Sequence, residues 1–446
     1  MKYIVNIIRM LVGLLFIVSG FVKAIDPLGT SYKMHDYFAA FSTLGLHGFW
    51  EWMNTISLPI AVIMIVLEMV AGFGLLLGWA NRFNVWLLYL MTMFFTVLTG
   101  FTYLSGFCPT PAFAVASIII VALFTLSAAK FNHPSGKKYL LITIAFTIVY
   151  LLMLKYSSML FSCSFDETKM KVTDCGCFGD ALKLKPWETF WKDIVLDVLI
   201  FILIIGMDYI KPLFKNSITN LLVSAGTAAS ILFCFSNYAW GLPVIDFRPY
   251  KIGNNIRELR QMQKPRVSDW VFIYKNKKSG ENKEFTTAQL SDMNSDDWDF
   301  VDRVEKVIDP GIPAKIDGFY ISNADGIDIT DTLLSDAGYS LMVVAYHLSE
   351  THKETFTEKL NPLAAACEKA GVDFYCVTGG DIPADPFRHE LQTPYPFYTA
   401  DETPLKTIIR SNPGLVLLKN GVVINMWHYR HIPDFSELNE KYFSKK

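Results

Sequence analysis

Long apolar runs fill the first half of the chain, separated by short polar stretches. Lipid offers backbone groups no hydrogen-bond partner, so apolar runs of roughly 17 to 25 residues must be helices. Seven are read, at approximately residues 3–24, 55–78, 83–106, 111–129, 139–160, 190–210 and 218–238. The seventh contains Ser224, Gly226, Thr227 and Ser230, small residues that suit a helix packed closely against neighbours. After about Trp240 the pattern shortens. Trp270 to Tyr274 and Glu284 to Thr286 flank Lys277-Lys278-Ser279-Gly280 and predict a hairpin. Phe319 to Ser322 and Gly326 to Ile329 predict a second. Ser340 to Tyr346 is a continuous apolar run suited to a central buried strand. A helix is expected from about Lys353 to Lys369 and a strand from Asp373 to Thr378. Gly414 to Ile424 reads as two strands joined by an Asn420-Gly421 turn.

Composition sharpens this division. Of 446 residues, 52% are hydrophobic and only 18% charged, with a mean hydropathy of +0.31. Nearly all the excess lies before Trp240, which marks that half as membrane-embedded. The net charge of −2 provides no basic face for nucleic acid. Lys2 and Arg9, then Arg82, then Lys130, Lys137 and Lys138, then Lys211 and Lys215 fall on one side if seven spans are correct. That bias places the N-terminus in the cytoplasm and the C-terminal domain outside the cytoplasmic (inner) membrane, facing the periplasm. Lys23, Lys33, Lys155 and the Lys169 to Lys192 loop run against it. The first segment is read as a retained span, because Phe21 to Asp26 offers no small-x-small cleavage site. Ile25 to Asn54 and Phe161 to Glu188 are then long outer loops, with Trp50, Trp52, Trp187 and Trp191 at the interface.

On this topology Cys108, Cys163, Cys175 and Cys177 all face outward, and four thiols in an oxidising space allow three disulfide connectivities. A bond between Cys175 and Cys177 would span a single residue, a strained and reducible ring suited to exchange chemistry. Gly176 removes the side chain that would obstruct so tight a turn. The other reading stays open: Cys175 and Cys177 pair separately with Cys163 and Cys108 and pin the loop to the helix ends. Within the spans, Glu68 is a carboxylate where ionisable groups need a partner or a function. It is either a packing bridge or a proton-relay or quinone contact. Lys23 ends the first span, and Asp193 and Asp197 lie one helical turn apart, so a polar cluster of Lys23 with one of these acids is expected.

The octapeptide Thr173-Asp174-Cys175-Gly176-Cys177-Phe178-Gly179-Asp180 resembles the signature loop of the methylamine-utilisation membrane protein family, MauE, within the wider DoxX-like group. Ser19-Gly20-Phe21-Val22-Lys23-Ala24-Ile25-Asp26-Pro27 looks like that group's first helix end, and Leu67-Glu68 through Leu77-Gly78 like its second helix. The whole chain is similar to a Bacteroides-type architecture that fuses such a membrane part to an extracytoplasmic thioredoxin-like part, with Leu242 to Gly253 as the junction. The resemblance implies a four-helix core and a thiol-disulfide or quinone-linked role. Two further helices, at about residues 108–160, depart from that core. Asn412-Pro413 stands where the thioredoxin fold places its cis-proline. After Tyr346, however, His347-Leu348-Ser349-Glu350-Thr351-His352 replaces Cys-x-x-Cys, so no exchange site exists there. His347 and His352 are read as solvated rather than metal-bound, and Cys367 and Cys376 as separate buried thiols.

The expected fold is therefore a membrane all-α bundle of about seven spans (1–239), a β-rich connecting segment (240–312) and a thioredoxin-like α/β domain lacking Cys-x-x-Cys (313–446). The expected function is thiol redox or maturation of an extracytoplasmic client protein. Cys175 and Cys177 would exchange. Cys163, Cys108, Gly176, Phe178, Gly179, Asp180, Glu68 and Lys23 would support them, with no metal; no flavin, haem or nucleotide motif is evident, and a lipid-soluble quinone could take the electrons. The rival from another class is a non-enzymatic membrane scaffold whose pseudo-thioredoxin domain binds a partner protein. A transporter is a weaker third reading, since no repeat or broken-helix pair is evident.

Overall fold

The structure, a computed structural model, describes residues 1–43, 45–106, 110–130, 134–155, 170, 172, 176, 178–182, 184–265, 267–290, 293, 295–309 and 311–444. It divides into a helical unit, Met1–Phe247, and a sheet-containing unit, Arg248–Lys446.

Each apolar segment of the first unit carries a helix. In chain order these are α1 (Lys2–Ile25), α2 (Pro27–Ser42), α3 (His47–Thr55), α4 (Ser57–Leu77), α5 (Asn81–Leu104), α6 (Thr110–Ala129), α7 (Pro134–Lys155), α8 (Pro186–Ile205) and α9 (Asn216–Phe235). Among the described residues, four helical segments are long and apolar enough to cross a membrane: Lys2–Ile25, Ser57–Leu77, Asn81–Leu104 and Asn216–Trp240. α8 is more polar, because Glu188, Lys192, Asp193 and Asp197 all lie on it.

One apolar core joins α1, α4, α5 and α8, through Val12, Phe16, Leu75, Leu88, Ile200 and Leu203. The α1–α4 crossing is close because it is built on small residues. A Cβ on Gly72 would stand 2.8 Å from the Gly13 carbonyl oxygen, and one on Gly13 would stand 3.2 Å from that of Gly72. Lipid supplies no hydrophobic drive between helices, so such close backbone contact is what holds them together. Arg9, also buried, donates to the carbonyls of Leu75 (2.8 Å), Leu76 (2.5 Å) and Lys211 (3.0 Å), satisfying acceptors that the end of α4 leaves open.

The expected outer loop at 25–54 is instead largely helical. Asp26 caps α2 by accepting from the Gly29 amide at 2.9 Å, and Pro27 occupies the first helical position. Met34, Tyr37 and Phe38 then bury one face of α2. The Asp-Pro pair was the signal for this start.

The second unit holds two sheets. A three-stranded antiparallel sheet has the order β2-β1-β3, from β1 (Val267–Asn276), β2 (Asn282–Thr286) and β3 (Trp298–Asp309). The hairpin is as expected; β3 was not anticipated, because its alternating charges hide its apolar positions. The five-stranded sheet has the order β6-β5-β4-β7-β8, from β4 (Tyr339–Ala345), β5 (Asp373–Thr378), β6 (Phe397–Thr399), β7 (Gly414–Lys419) and β8 (Val422–His428). β4 pairs parallel with β5 and antiparallel with β7, and β7 and β8 meet through Asn420 (φ 47°) and Gly421 (φ 76°). Helical turns from Lys353 to Ala370 pack Phe356, Leu360, Leu363 and Cys367 on this sheet. The expected hairpin at Phe319 to Ile329 is reduced to one bridge, Ser322 with Asp328, because Ser322 also pairs with Thr399 and the Ile321 amide donates to the Thr330 hydroxyl.

Candidate functional site

Close α1–α4 contact places the two ionisable residues of those helices together. Lys23 Nζ lies 2.5 Å from Glu68 Oε1, with only 3% and 1% of the two side chains exposed. Ser19, one turn before Lys23, donates to Glu68 Oε2 at 3.3 Å and lies 3.2 Å from Lys23 Nζ. The ammonium also sits 4.7 Å from the centre of the Phe95 ring on α5. A pair so enclosed is held by geometry rather than screened by solvent, and removing one partner leaves a buried charge.

Neighbouring polar groups come from α5 and α8. Thr99 donates to Asp193 Oδ2 at 3.0 Å, and Lys192 Nζ is 3.0 Å from Asp193 Oδ1. Thr96 donates to Asp197 Oδ2 at 2.7 Å, while Asp197 Oδ1 has no hydrogen-bond partner among the described residues. Lys23 makes its ion pair with Glu68 and Asp193 makes one with Lys192, and Lys23 also acts electrostatically on Asp193, as in the expected cluster.

The described part of the Cys-Gly-Cys loop rests on these helices. Gly176 and Gly179 both adopt positive φ, +63° and +52°. A Cβ at Gly176 would meet Lys33 Cγ of α2 at 3.1 Å, and one at Gly179 would meet Val22 of α1 at 3.9 Å. The Phe178 ring lies 5.1 Å beneath Lys192 Nζ. Lys192 thus touches both the loop and the buried acid beside it. Asp180 is half-buried in the same turn, and Val172 packs with Tyr37 and Ala40 of α2. Cys108, Cys163, Cys175 and Cys177 lie outside the described residues.

Sequence reasoning found Lys23, Glu68, Asp193 and Asp197 but missed Ser19, Phe95, Thr96, Thr99 and Lys192. A signal existed. Thr92, Thr96 and Thr99 recur at four and three residues in an apolar helix, which lines them on one face.

In the sheet unit, the turn after β4 is tied down by acids. Asp381 accepts from the amides of Leu348 (2.9 Å) and Ser349 (3.0 Å). His347 lies 2.9 Å from Glu402 and 3.2 Å from Glu350. Burial opposes its charge, but hydrogen bonds to Glu402 and Glu350 outweigh that and raise its pKa. Asn412, in a cis peptide with Pro413, donates its side-chain amide to the His347 carbonyl at 2.7 Å. Cys367 and Cys376 are both free and fully buried. Burial pushes the Cys367 thiol up to about 12 and that of Cys376 well above its ordinary value, so neither forms a thiolate near neutrality.

Residues 1–107 match the family model of methylamine utilisation protein MauE. The N-terminal region is therefore similar to the MauE family over that stretch, about a quarter of the chain. The MauE match contains both partners of the Lys23–Glu68 pair, the Arg9 anchor and the threonine face of α5; α8, α9 and the sheet unit lie beyond it. Together with the four apolar helices it marks a multi-pass membrane protein. No curated protein and no solved structure matches the chain.

Proposed function

We propose that this protein exchanges disulfides at the outer face of the cytoplasmic membrane, through Cys175 and Cys177, and so matures an extracytoplasmic client. The observation that carries the reading is the seating of Gly176, Phe178 and Gly179 against Lys33, Lys192 and Val22, on helices that also hold the buried Lys23–Glu68 and Lys192–Asp193 pairs. The described residues of the loop thus sit beside fixed charge. A client dithiol would give two electrons and two protons to the Cys175–Cys177 disulfide, leaving a client disulfide and a loop dithiol. A lipid-soluble quinone would then take two electrons and two protons from that dithiol. Seven spans, as the lysine and arginine bias implies, would put both the loop and the sheet unit on the outer side. The sheet unit, read as a pseudo-thioredoxin domain without Cys-x-x-Cys, would serve as the client-docking module.

Mass shifts after thiol alkylation of isolated membranes test this. Cys175 and Cys177 should change between blocked and alkylated as the quinone pool is oxidised and reduced. Cysteines that stay blocked in both states reject exchange.

The scaffold reading has its own support: the sheet unit's described thiols are buried and protonated, and its β4 turn presents histidine and carboxylates instead of sulfur. Locked loop cysteines with retained client binding would favour it.

A further inference from the structure

We propose that β3 is a self-association edge, pairing antiparallel with β3 of a second copy of this chain about Val304. Among the described residues β3 is an outer strand of its sheet, paired with β1. It runs twelve residues, long for an edge, and carries extra residues at Val301 and Ile308 on either side of a regular central stretch. Its apolar side chains lie open: Phe300 is 56% exposed, Val304 49% and Ile308 65%. Three strands alone bury little, and Val271 and Phe285 are the sheet's buried apolar residues among those described.

The order of charges selects the occupant. Asp302-Arg303-Val304-Glu305-Lys306 reads minus, plus, neutral, minus, plus. Reversed against itself about Val304, Asp302 meets Lys306 and Arg303 meets Glu305, each pair occurring twice across the two-fold axis. Straight continuation past the irregularities at Val301 and Ile308 would set Val301 opposite Val307 and Phe300 opposite Ile308. The outermost acids, Asp299 and Asp309, would face each other, but each already has a lysine: Asp299 lies 3.6 Å from Lys277, and Asp309 is paired with Lys264. Charges of one sign would bar such an edge from pairing; this mirrored alternation makes every central cross-strand pair favourable. The regular stretch opposite β1, Asp302 to Val307, coincides with the self-complementary segment. The proposal is independent of the sulfur chemistry.

The test uses the full-length protein in detergent. Directly opposed residues have Cα atoms about 4.5 to 5.5 Å apart, inside the range a disulfide spans. Val304→Cys should therefore cross-link to itself on mild oxidation, faster than Ser279→Cys in the exposed β1–β2 turn or the unsubstituted chain. Phe300→Cys mixed with Ile308→Cys should form a mixed dimer in preference to either homodimer. Lys306→Asp places like charges opposite each other twice and should weaken dimerisation about tenfold, and adding Asp302→Lys should restore it. These positions are exposed, and circular dichroism checks that the variants fold. Three results overturn the proposal: a chain monomeric at all concentrations by sedimentation, a Val304→Cys variant that cross-links no faster than Ser279→Cys, or a charge swap that fails to rescue.

Discussion

Lys192 joins Phe178 to Asp193: its ammonium lies over the aromatic ring of the loop on one side and 3.0 Å from the buried carboxylate on the other. Lys192 thereby ties the loop that holds Gly176 to α8. Lys192→Gln removes both contacts, worth about 0.5 to 2 kcal/mol for the ring contact. Alkylation of Cys175 and Cys177 under reducing conditions should then quicken several-fold. An unchanged rate means that this tether does not govern loop access.

Glu68→Gln leaves Lys23 buried without its counter-charge and should cost about 3 to 5 kcal/mol. The double variant Lys23→Met/Glu68→Leu removes both charges and should recover most of that loss. Thermal melts in detergent decide. A double variant as unstable as the single would give the pair a role beyond mutual neutralisation.

Two histidines of the sheet unit pull stability in opposite directions with pH. His347, raised, stabilises fully below the ordinary histidine value of about 6.5, and its contribution is lost as pH rises through its folded value. Glu402 is lowered despite burial, by Lys406 and His347, and contributes above about 4.3 until pH falls through its own folded value. The pair is exposed enough to be worth less than about 1 kcal/mol. His428 does the reverse. Burial, then His431 and Arg430, push it down to about 4, so the unfolded chain binds its proton first as pH falls below about 6.5. Between those values the folded state should lose about 2 to 3 kcal/mol. Hydrogen exchange at Val343 and Leu417 should show that loss in the wild type and a flatter dependence in His428→Gln.

Cys376→Ala and Cys367→Ala should each cost about 1 kcal/mol through lost packing and change no redox state. A shift in the alkylation pattern of the remaining cysteines in either variant would contradict the assignment of these thiols to the core.

Legibility in the sequence followed the strength of the local signal. Uninterrupted apolar runs coincide with helices, four of them long and apolar enough to cross a membrane among the described residues, and Asn420-Gly421 located a tight turn, because lipid and positive φ each admit few alternatives. α2 was read as loop because its polar residues, Ser31, Lys33, His35 and Asp36, outweighed a buried stripe of Met34, Tyr37 and Phe38. β3 escaped because charge alternates on both of its faces. The ionisable residues of the bundle stood out by cost alone, whereas the hydroxyls of Ser19, Thr96 and Thr99 are cheap in a helix and acquire meaning only once α1, α5 and α8 are brought together. The pairing of Lys23 with Glu68 needed the crossing of α1 with α4, which spacing along the chain does not reveal.

That crossing has a mechanical consequence. Gly13 and Gly72 touch between two fastenings, Arg9 on the carbonyls of Leu75 and Leu76 at one depth and Lys23 on Glu68 at another. Rocking either helix about the glycines would tear one fastening or the other. α1 and α4 therefore move as one beam, and any breathing of the bundle falls to the helices around it.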